Sequence, residues 1–367
     1  MGRLLVPFLV LCAALAGVVL SDRPVPRADL TISNGNDVTT LDLQRMSWMN
    51  DLRVARLLFE GLVANDVFDP EYRIIPAVAE RWEISPDGRE YRFFLRPGAE
   101  WSNGEPVRAS DFVFAWRRAI LPDTAADYYT FFEYIEGVAE FFRWRSAALQ
   151  RFADETRGLA RAERARAAEG LWDQTEAKFA ELVRVRAVSD SELVLRLERP
   201  IPFFLDLLAF ATFYPVYPPL VRQYDRLDPD TGRVIAEGGW TKPPHIVSNG
   251  PYELTVWRFK RDMFLEANEH YWNRAALSVR TIAIPSIADP NAQVLAFQTG
   301  QVQFCAEISA PYRREMIAQK DAFYRDHRDE YERLLAEGWD SFQIDRLLPD
   351  DPRAHVHASP VFGTYFW

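Results

Sequence analysis

The chain has 367 residues and a mass of 42.4 kDa, which is about two to three times the commonest domain size, so we expect more than one packed unit. Hydrophobic residues make up 48% of it and charged residues 26%, a composition that excludes wholesale disorder. The net charge of −10 argues against a nucleic-acid-binding surface, which needs clustered and unpaired Lys and Arg.

The first 21 residues have the pattern of an export signal. Met1–Arg3 is a short basic start, Leu4–Leu20 is apolar, and Ser21–Pro24 ends the run. This pattern predicts a signal peptide over residues 1–21, with an uncleaved membrane anchor as the alternative because the run approaches the length of a membrane span. In either case we expect the chain in the periplasm or another extracytoplasmic compartment.

The sequence shows no catalytic or metal-binding pattern. Cys12 lies in the leader, so removal of the leader would leave Cys305 without a disulfide partner. His355 and His357 would share one face of a strand, but a zinc site needs further ligands from elsewhere. The acidic residues fall in no catalytic motif that we identify. We therefore expect no metal, no cofactor and no enzymatic activity.

Strand and helix patterns alternate along the chain. Asp29–Ser33 alternates like a strand and runs into a turn at Asn34–Asp37. Apolar residues from Val54 to Leu62 recur at helical spacing, Tyr91–Leu95 alternates like a strand, and Ser110 is placed to cap the next helix.

Two charged stretches have helical spacing. Residues 140–184 balance basic and acidic side chains, which predicts one or two solvated surface helices. Residues 183–197 have the pattern of a hairpin with its turn at Ser189–Ser191, and residues 312–343 are again charged and helical. Three tryptophans in stretches of core-like periodicity are predicted to pack inside: Trp82, Trp101 and Trp116.

Several motifs follow one another in a characteristic order. They are Thr40–Asp42, Leu58–Leu62, Pro76–Trp82, Tyr91–Val107, Ser110–Trp116, Asn249–Tyr252, Tyr271–Trp272 and Phe297–Val302. Together they resemble the bacterial extracytoplasmic solute-binding proteins of family 5, the oligopeptide- and dipeptide-binding receptors of ABC importers. The resemblance covers the chain from about residue 30 onward.

The resemblance implies an α/β fold of the two-lobed, type II periplasmic-binding-protein class, with mixed sheets. Members of the family continue well beyond the matching part, so we expect an incomplete second lobe. The expected division is lobe I at 22–50 and 185–286, a subdomain at 51–184 with a helical insertion at 140–184, and the start of lobe II at 287–367 with a helical insertion at 311–343.

The resemblance also implies a function without chemistry. In this family the lobes close on an extended peptide, whose backbone hydrogen bonds supply affinity while roomy pockets tolerate different side chains. The expected partners are an oligopeptide and the permease subunits of an ABC transporter, with no nucleic acid and a monomeric chain. The alternatives are another small solute, such as a sugar or a metal chelate, and an anchored protein-interaction module that uses the charged helices.

Six residues are carried over as ligand-binding candidates: Ser47, Trp48, Met49, Tyr128, Asn249 and Gly250. The loop Ser47–Met49 matches the segment that lines the family's cleft, and Tyr128 matches a ligand-contacting tyrosine. Asn249 and Gly250 lie where the family's chain passes the cleft, and Gly permits a close backbone approach. The alternatives are a packed loop, a buried tyrosine and an ordinary turn.

Overall fold

The computed structural model describes residues 26–348 except 68, 70–71, 341–342 and 345–346. The predicted leader over residues 1–21, the pair His355 and His357, and the last residues of the predicted second lobe lie outside this described part. Within it, no helix combines the length and the apolar character needed to cross a membrane.

Short strands and helices make up the described chain. The strands are β1 (Leu30–Ser33), β2 (Val63–Asn65), β3 (Ile74–Pro76), β4 (Ala79–Ile84), β5 (Glu90–Leu95), β6 (Val185–Ser189), β7 (Glu192–Arg196), β8 (Asp225–Leu227), β9 (Val234–Ala236), β10 (Tyr252–Arg258), β11 (Asp262–Ala267), β12 (Thr281–Pro285) and β13 (Phe304–Cys305). The helices are α1 (Met49–Leu58), α2 (Ala109–Ile120), α3 (Tyr129–Phe132), α4 (Val138–Glu155), α5 (Arg161–Leu182), α6 (Phe204–Leu208), α7 (Pro218–Tyr224), α8 (Pro290–Gln298), α9 (Ala310–Asp326) and α10 (Arg328–Ala336).

A five-stranded sheet joins the beginning of the chain to its later part. Its strand order is β10-β11-β12-β1-β13, in which β10, β11 and β12 form an antiparallel run and β1 lies parallel between β12 and β13. Leu30 pairs with Ile282, and Ser33 pairs with Cys305. The predicted first strand is therefore confirmed, and its carboxyl end lies beside the edge strand β13.

A four-stranded antiparallel sheet has the order β4-β5-β7-β6. The predicted strand at Tyr91–Leu95 is β5, and the predicted hairpin at 183–197 is β6 and β7. Because β7 bonds to β5, the sheet crosses residue 184, where the sequence placed a boundary between the subdomain and lobe I. The division into lobes stays a prediction, and we propose to place β6 and β7 with the other two strands of this sheet in the subdomain.

Both sheets contribute to one apolar core that extends from Ile32 to Ile284. Trp101 and Trp116 are fully buried in it, and Trp82 packs against it, which confirms their predicted packing role. Trp116 Nε1 donates to the carbonyl oxygen of Phe213 at 2.7 Å, so the polar end of this large ring is satisfied inside the core.

The start of α2 differs from the prediction. The N-cap position is Arg108, one residue before Ala109, so the predicted cap at Ser110 is wrong. Asp111 holds the first turn instead, because its Oδ2 accepts the backbone N–H of Arg108 at 2.9 Å and Trp101 Nε1 at 3.0 Å. A carboxylate in the first turn also interacts favourably with the helix dipole.

The predicted surface helices at 140–184 are α4 and α5, and a buried ion pair anchors them to the body of the protein. Arg145 on α4 and Asp123 after α2 are both 0% exposed, with Nη2 and Oδ1 2.7 Å apart. Arg145 also donates to Thr175 Oγ1 on α5 at 3.1 Å and to the carbonyl oxygen of Gly232 at 2.8 Å. One guanidinium thus fixes both helices and the turn between β8 and β9.

The predicted charged helices within 312–343 are α9 and α10. They pack on a small apolar cluster that is separate from the main core. Its buried members among the described residues are Phe323, Leu334, Ile344 and Leu348.

Candidate ligand-binding site at the end of β1

Two large apolar side chains project into solvent where α1 begins. Trp48 is 65% exposed and Met49 is 68% exposed, although the preceding Met46 is buried. Trp48 occupies the N-cap position in extended conformation, and its carbonyl oxygen accepts the N–H of Leu52 at 3.0 Å. The backbone is therefore fixed while the two side chains stay accessible, which suits contact with a ligand.

Tyr128 meets the same loop from the other side. Its hydroxyl donates to the carbonyl oxygen of Ser47 at 3.3 Å. Its ring lies edge-on to Phe210, with centroids 4.8 Å apart, and is stacked on Phe131 at 5.4 Å. The structure thus brings together four of the six predicted residues, namely Ser47, Trp48, Met49 and Tyr128.

Asn249 and Gly250 lie at the opposite end of α1. The side-chain Oδ1 of Asn249 accepts the N–H of Glu60 at 3.1 Å, and its Nδ2 donates to the carbonyl oxygen of Glu60 at 3.0 Å. The N–H of Gly250 donates to the carbonyl oxygen of Leu58 at 2.8 Å. A ten-residue helix is about 15 Å long, so these two residues are not brought to Trp48. Their ligand-binding role stays a prediction.

Glu60 forms a network at this end of α1. Its Oε1 accepts the hydroxyl of Tyr271 at 2.6 Å, and its Oε2 accepts Trp272 Nε1 at 2.6 Å. The guanidinium of Arg96 lies 3.8 Å from the centre of the Trp272 ring. Desolvation raises the pKa of Glu60, and these hydrogen bonds and the charge of Arg96 oppose it. Residues from three of the sequence motifs, namely Leu58–Leu62, Tyr91–Val107 and Tyr271–Trp272, thus form one network.

Polar residues directly after β1 also belong to this site, although they were not among the predicted ligand-binding residues. Asn34 is buried, donates from Nδ2 to the carbonyl oxygen of Asn50 at 2.9 Å, and accepts a hydrogen bond from Arg53. Desolvation lowers the pKa of Arg53, while the charge of Glu307 acts to raise it. The turn after a predicted strand was the available signal, because ligands of α/β sheets bind outside the carboxyl ends of strands.

A buried carboxyl group lies beside these residues in the first turn of α1. Asp51 is fully buried, and its Oδ1 accepts the N–H of Thr39 at 2.8 Å. Desolvation raises the pKa of Asp51 to about 6, against the hydrogen bonds from Thr39 and Thr40 and with the charge of Asp37.

The arrangement is suited to holding a ligand. Within the described sheet β13 is the outer strand, with Phe304 45% exposed, next to the carboxyl end of β1. An outer strand offers backbone donors and acceptors, and exposed Trp and Met side chains offer adaptable apolar contacts. Among the described residues, no group of three His, Cys, Asp or Glu side chains could hold a metal ion.

Residues 73–334 match the family model of the bacterial extracellular solute-binding proteins, family 5 (middle part). The chain belongs to this family. The resemblance seen in the motifs is therefore confirmed.

Relatives of this family-5 protein include binding proteins of the periplasm. It is 28% identical over 309 residues to the periplasmic oligopeptide-binding protein OppA of Escherichia coli K12, covering 82% of this chain and 48% of OppA. It is 31% identical over 248 residues to the probable deoxycholate-binding periplasmic protein YgiS of the same organism, covering 67% of this chain and 38% of YgiS. The chain thus spans about half or less of these relatives' length.

A solved structure agrees with the predicted fold. The crystal structure of Haemophilus influenzae OppA in complex with RPPGFSPFR matches with a TM-score of 0.59 and 26% identity, covering 76% of this chain and 46% of OppA. The predicted α/β fold of the type II periplasmic-binding-protein class, with mixed sheets, is confirmed.

Proposed function

We propose that this family-5 protein is the substrate-binding component of an ABC importer, which binds oligopeptides and delivers them to permease subunits in the membrane. The observation that carries the proposal is the group of Trp48, Met49 and Tyr128 at the start of α1, which the hydrogen bond from Asn34 to Asn50 joins to the end of β1. Two relatives of the protein support the ligand class. OppA of Escherichia coli is named an oligopeptide-binding protein, and OppA of Haemophilus influenzae was solved in complex with RPPGFSPFR.

The geometry suggests how a peptide would be held. An extended chain lying along β13 would gain backbone hydrogen bonds, which are independent of its sequence. Trp48 and Met49 would cover its apolar side chains without demanding one shape. The carbonyl oxygen of Ser47 fixes the Tyr128 hydroxyl, so the aromatic group with Phe131 and Phe210 forms a stable wall. No enzymatic step is part of this proposal.

Replacing Trp48 tests the site. Trp48→Ala should weaken the binding of a short peptide by about tenfold, because truncating an aromatic contact costs about 1 to 3 kcal/mol of binding free energy. Calorimetric titration with peptides that co-purify with the protein measures the dissociation constant. Trp339→Ala, which removes a 40% exposed Trp after α10, is the matched control. Equal affinities of wild type and Trp48→Ala would place the peptide elsewhere.

The identity of the ligand is a separate question. The name of YgiS favours a bile-acid steroid as the second candidate, and the exposed Trp48 and Met49 would also suit such an apolar ligand. Mass spectrometry of co-purifying small molecules separates the two. A mixture of short peptides supports our proposal, whereas a single steroid, sugar or metal chelate would replace it.

We also propose that residues 1–21 direct export. The basic start, the apolar run and the periplasmic relatives support this assignment. N-terminal sequencing of exported protein distinguishes a cleaved leader, which leaves a new terminus near residue 22, from an uncleaved anchor, which keeps Met1.

A further inference from the structure

A cavity of about 170 Å³ lies away from the β1 site, between α2, α5, α7 and the β8–β9 hairpin. A cavity of about 150 Å³ with apolar walls accommodates a six-membered aromatic ring. The size therefore fits a small molecule with one ring and a short substituent.

Apolar side chains form most of the wall. They are Phe114, Leu121, Trp172, Leu227, Val234 and Ala236. Leu121 is buried, and the others are partly exposed to the cavity or to solvent. Such walls favour the apolar body of a ligand over water.

Two guanidinium groups lie together on one side of the cavity. Arg117 pairs with Glu176 at 2.9 Å, and its guanidinium lies 5.6 Å from the Trp172 ring centre. Arg222 is exposed and lies 5.1 Å from the Phe114 ring centre, and it has no ion pair among the described residues. Desolvation lowers the pKa of Arg117, the charge of Glu176 opposes this effect, and the charge of Arg222 adds to it. This side of the cavity carries one positive charge more than it carries negative charges.

The remaining arginine in the wall is already neutralised. Arg118 makes two hydrogen bonds of 2.6 Å to Asp42 and one of 2.9 Å to Asp225. These two carboxylates occupy the donors of Arg118, so this arginine is not available to a bound anion. A bound carboxylate must therefore sit near Arg117 and Arg222, with its apolar body against the wall.

We propose that this cavity binds a small aromatic carboxylate, independently of the peptide site. The carboxylate accepts hydrogen bonds from Arg222 and relieves the repulsion between the two guanidinium groups. The ring of the ligand packs beside Phe114 and Trp172, which both line the cavity.

Ligand-observed ¹⁹F NMR with 4-fluorophenylacetate tests the proposal on the full chain. We expect binding with a dissociation constant of about 1 mM or tighter, as the size of such a ligand allows. Arg222→Gln should weaken the binding of 4-fluorophenylacetate at least fivefold, because the variant removes the unpaired charge and keeps a polar side chain at this exposed position. The neutral analogue 4-fluorophenylacetamide should bind at least fivefold more weakly than the carboxylate.

Two controls fix the position of the probe. Arg226→Gln removes an exposed arginine on β8 that is not in the cavity wall, and it should leave the affinity unchanged. Trp48→Ala should also leave it unchanged, because Trp48 belongs to the β1 site. No binding, equal binding of the acid and the amide, or an Arg222→Gln affinity equal to that of wild type would overturn the proposal.

Discussion

At the scale of single residues, the space around Gly250 is too small for any side chain. A Cβ atom there would lie 2.6 Å from the backbone carbon of Leu58 and from the backbone nitrogen of Phe59. Two backbone segments therefore pack directly on each other, with the Gly250 N–H bonded to Leu58. The sequence predicted a close approach at this glycine, but the partner is the end of α1.

Gly250→Ala should destabilise the protein by about 1 to 3 kcal/mol, because a methyl group forces backbone atoms apart. Gly170→Ala is the matched control: Gly170 lies inside α5, and a Cβ there would meet no atom within 4 Å. That control should stabilise by about 0.5 to 1 kcal/mol, since Ala is the better helix former. Chemical unfolding of the three proteins measures both effects, and a harmless Gly250→Ala would contradict the packing.

At the scale of elements, local sequence patterns predicted individual strands, but they could not predict which strands pair with one another. The alternation of Asp29–Ser33 and Tyr91–Leu95 predicted β1 and β5 because side chains on a strand alternate between two faces. The same pattern could not show that β1 lies between β12 and β13, which come more than 240 residues later. The predicted boundary at 184 has the same origin, because the pattern could not show that β7 bonds to β5 across this residue.

The candidate site also contains residues that the sequence could reveal and residues that it could not. The exposed loop Ser47–Met49 and its neighbour Tyr128 were found through motifs, whereas Asn34, Arg53 and Asp51 were missed. Their importance depends on burial and on which groups face them, and neither can be deduced from spacing along one chain. A turn directly after the first strand was the usable signal.

The anchoring of α4 and α5 leads to a prediction at this scale. Arg145→Ala should destabilise the protein by about 3 to 5 kcal/mol, because it leaves the buried carboxylate of Asp123 without its charge partner. Thermal or chemical unfolding measures the loss. Arg164→Ala is the control, since the pair Arg164–Asp230 also ties α5 to the β8–β9 turn but is exposed, with side chains 30% and 54% accessible. It should cost less than about 1 kcal/mol.

At the scale of the whole molecule, the main core and the small α9–α10 cluster are separate. The buried members of the core extend from Ile32 to Ile284, and the cluster begins at Phe323. With β6 and β7 placed in the subdomain and the helix α1 kept whole, we propose lobe I at 22–48 and 197–286, the subdomain at 49–196, and a second lobe from residue 287. Strand β13 is the link, because it leaves this last segment to pair with β1.

This division predicts unequal stability along the chain. Amides of α9 and α10 should exchange with solvent at least tenfold faster than those of β11 and β12, because a small cluster supports less local free energy of opening than the main core does. Hydrogen exchange followed by mass spectrometry of the full chain measures this. A shortened chain ending at residue 286 should still unfold in one cooperative step, since it keeps every buried residue of the main core. Equal protection of α9, α10 and β11 would mean that the two parts fold as one unit, and the proposed boundary at 287 would have to be abandoned.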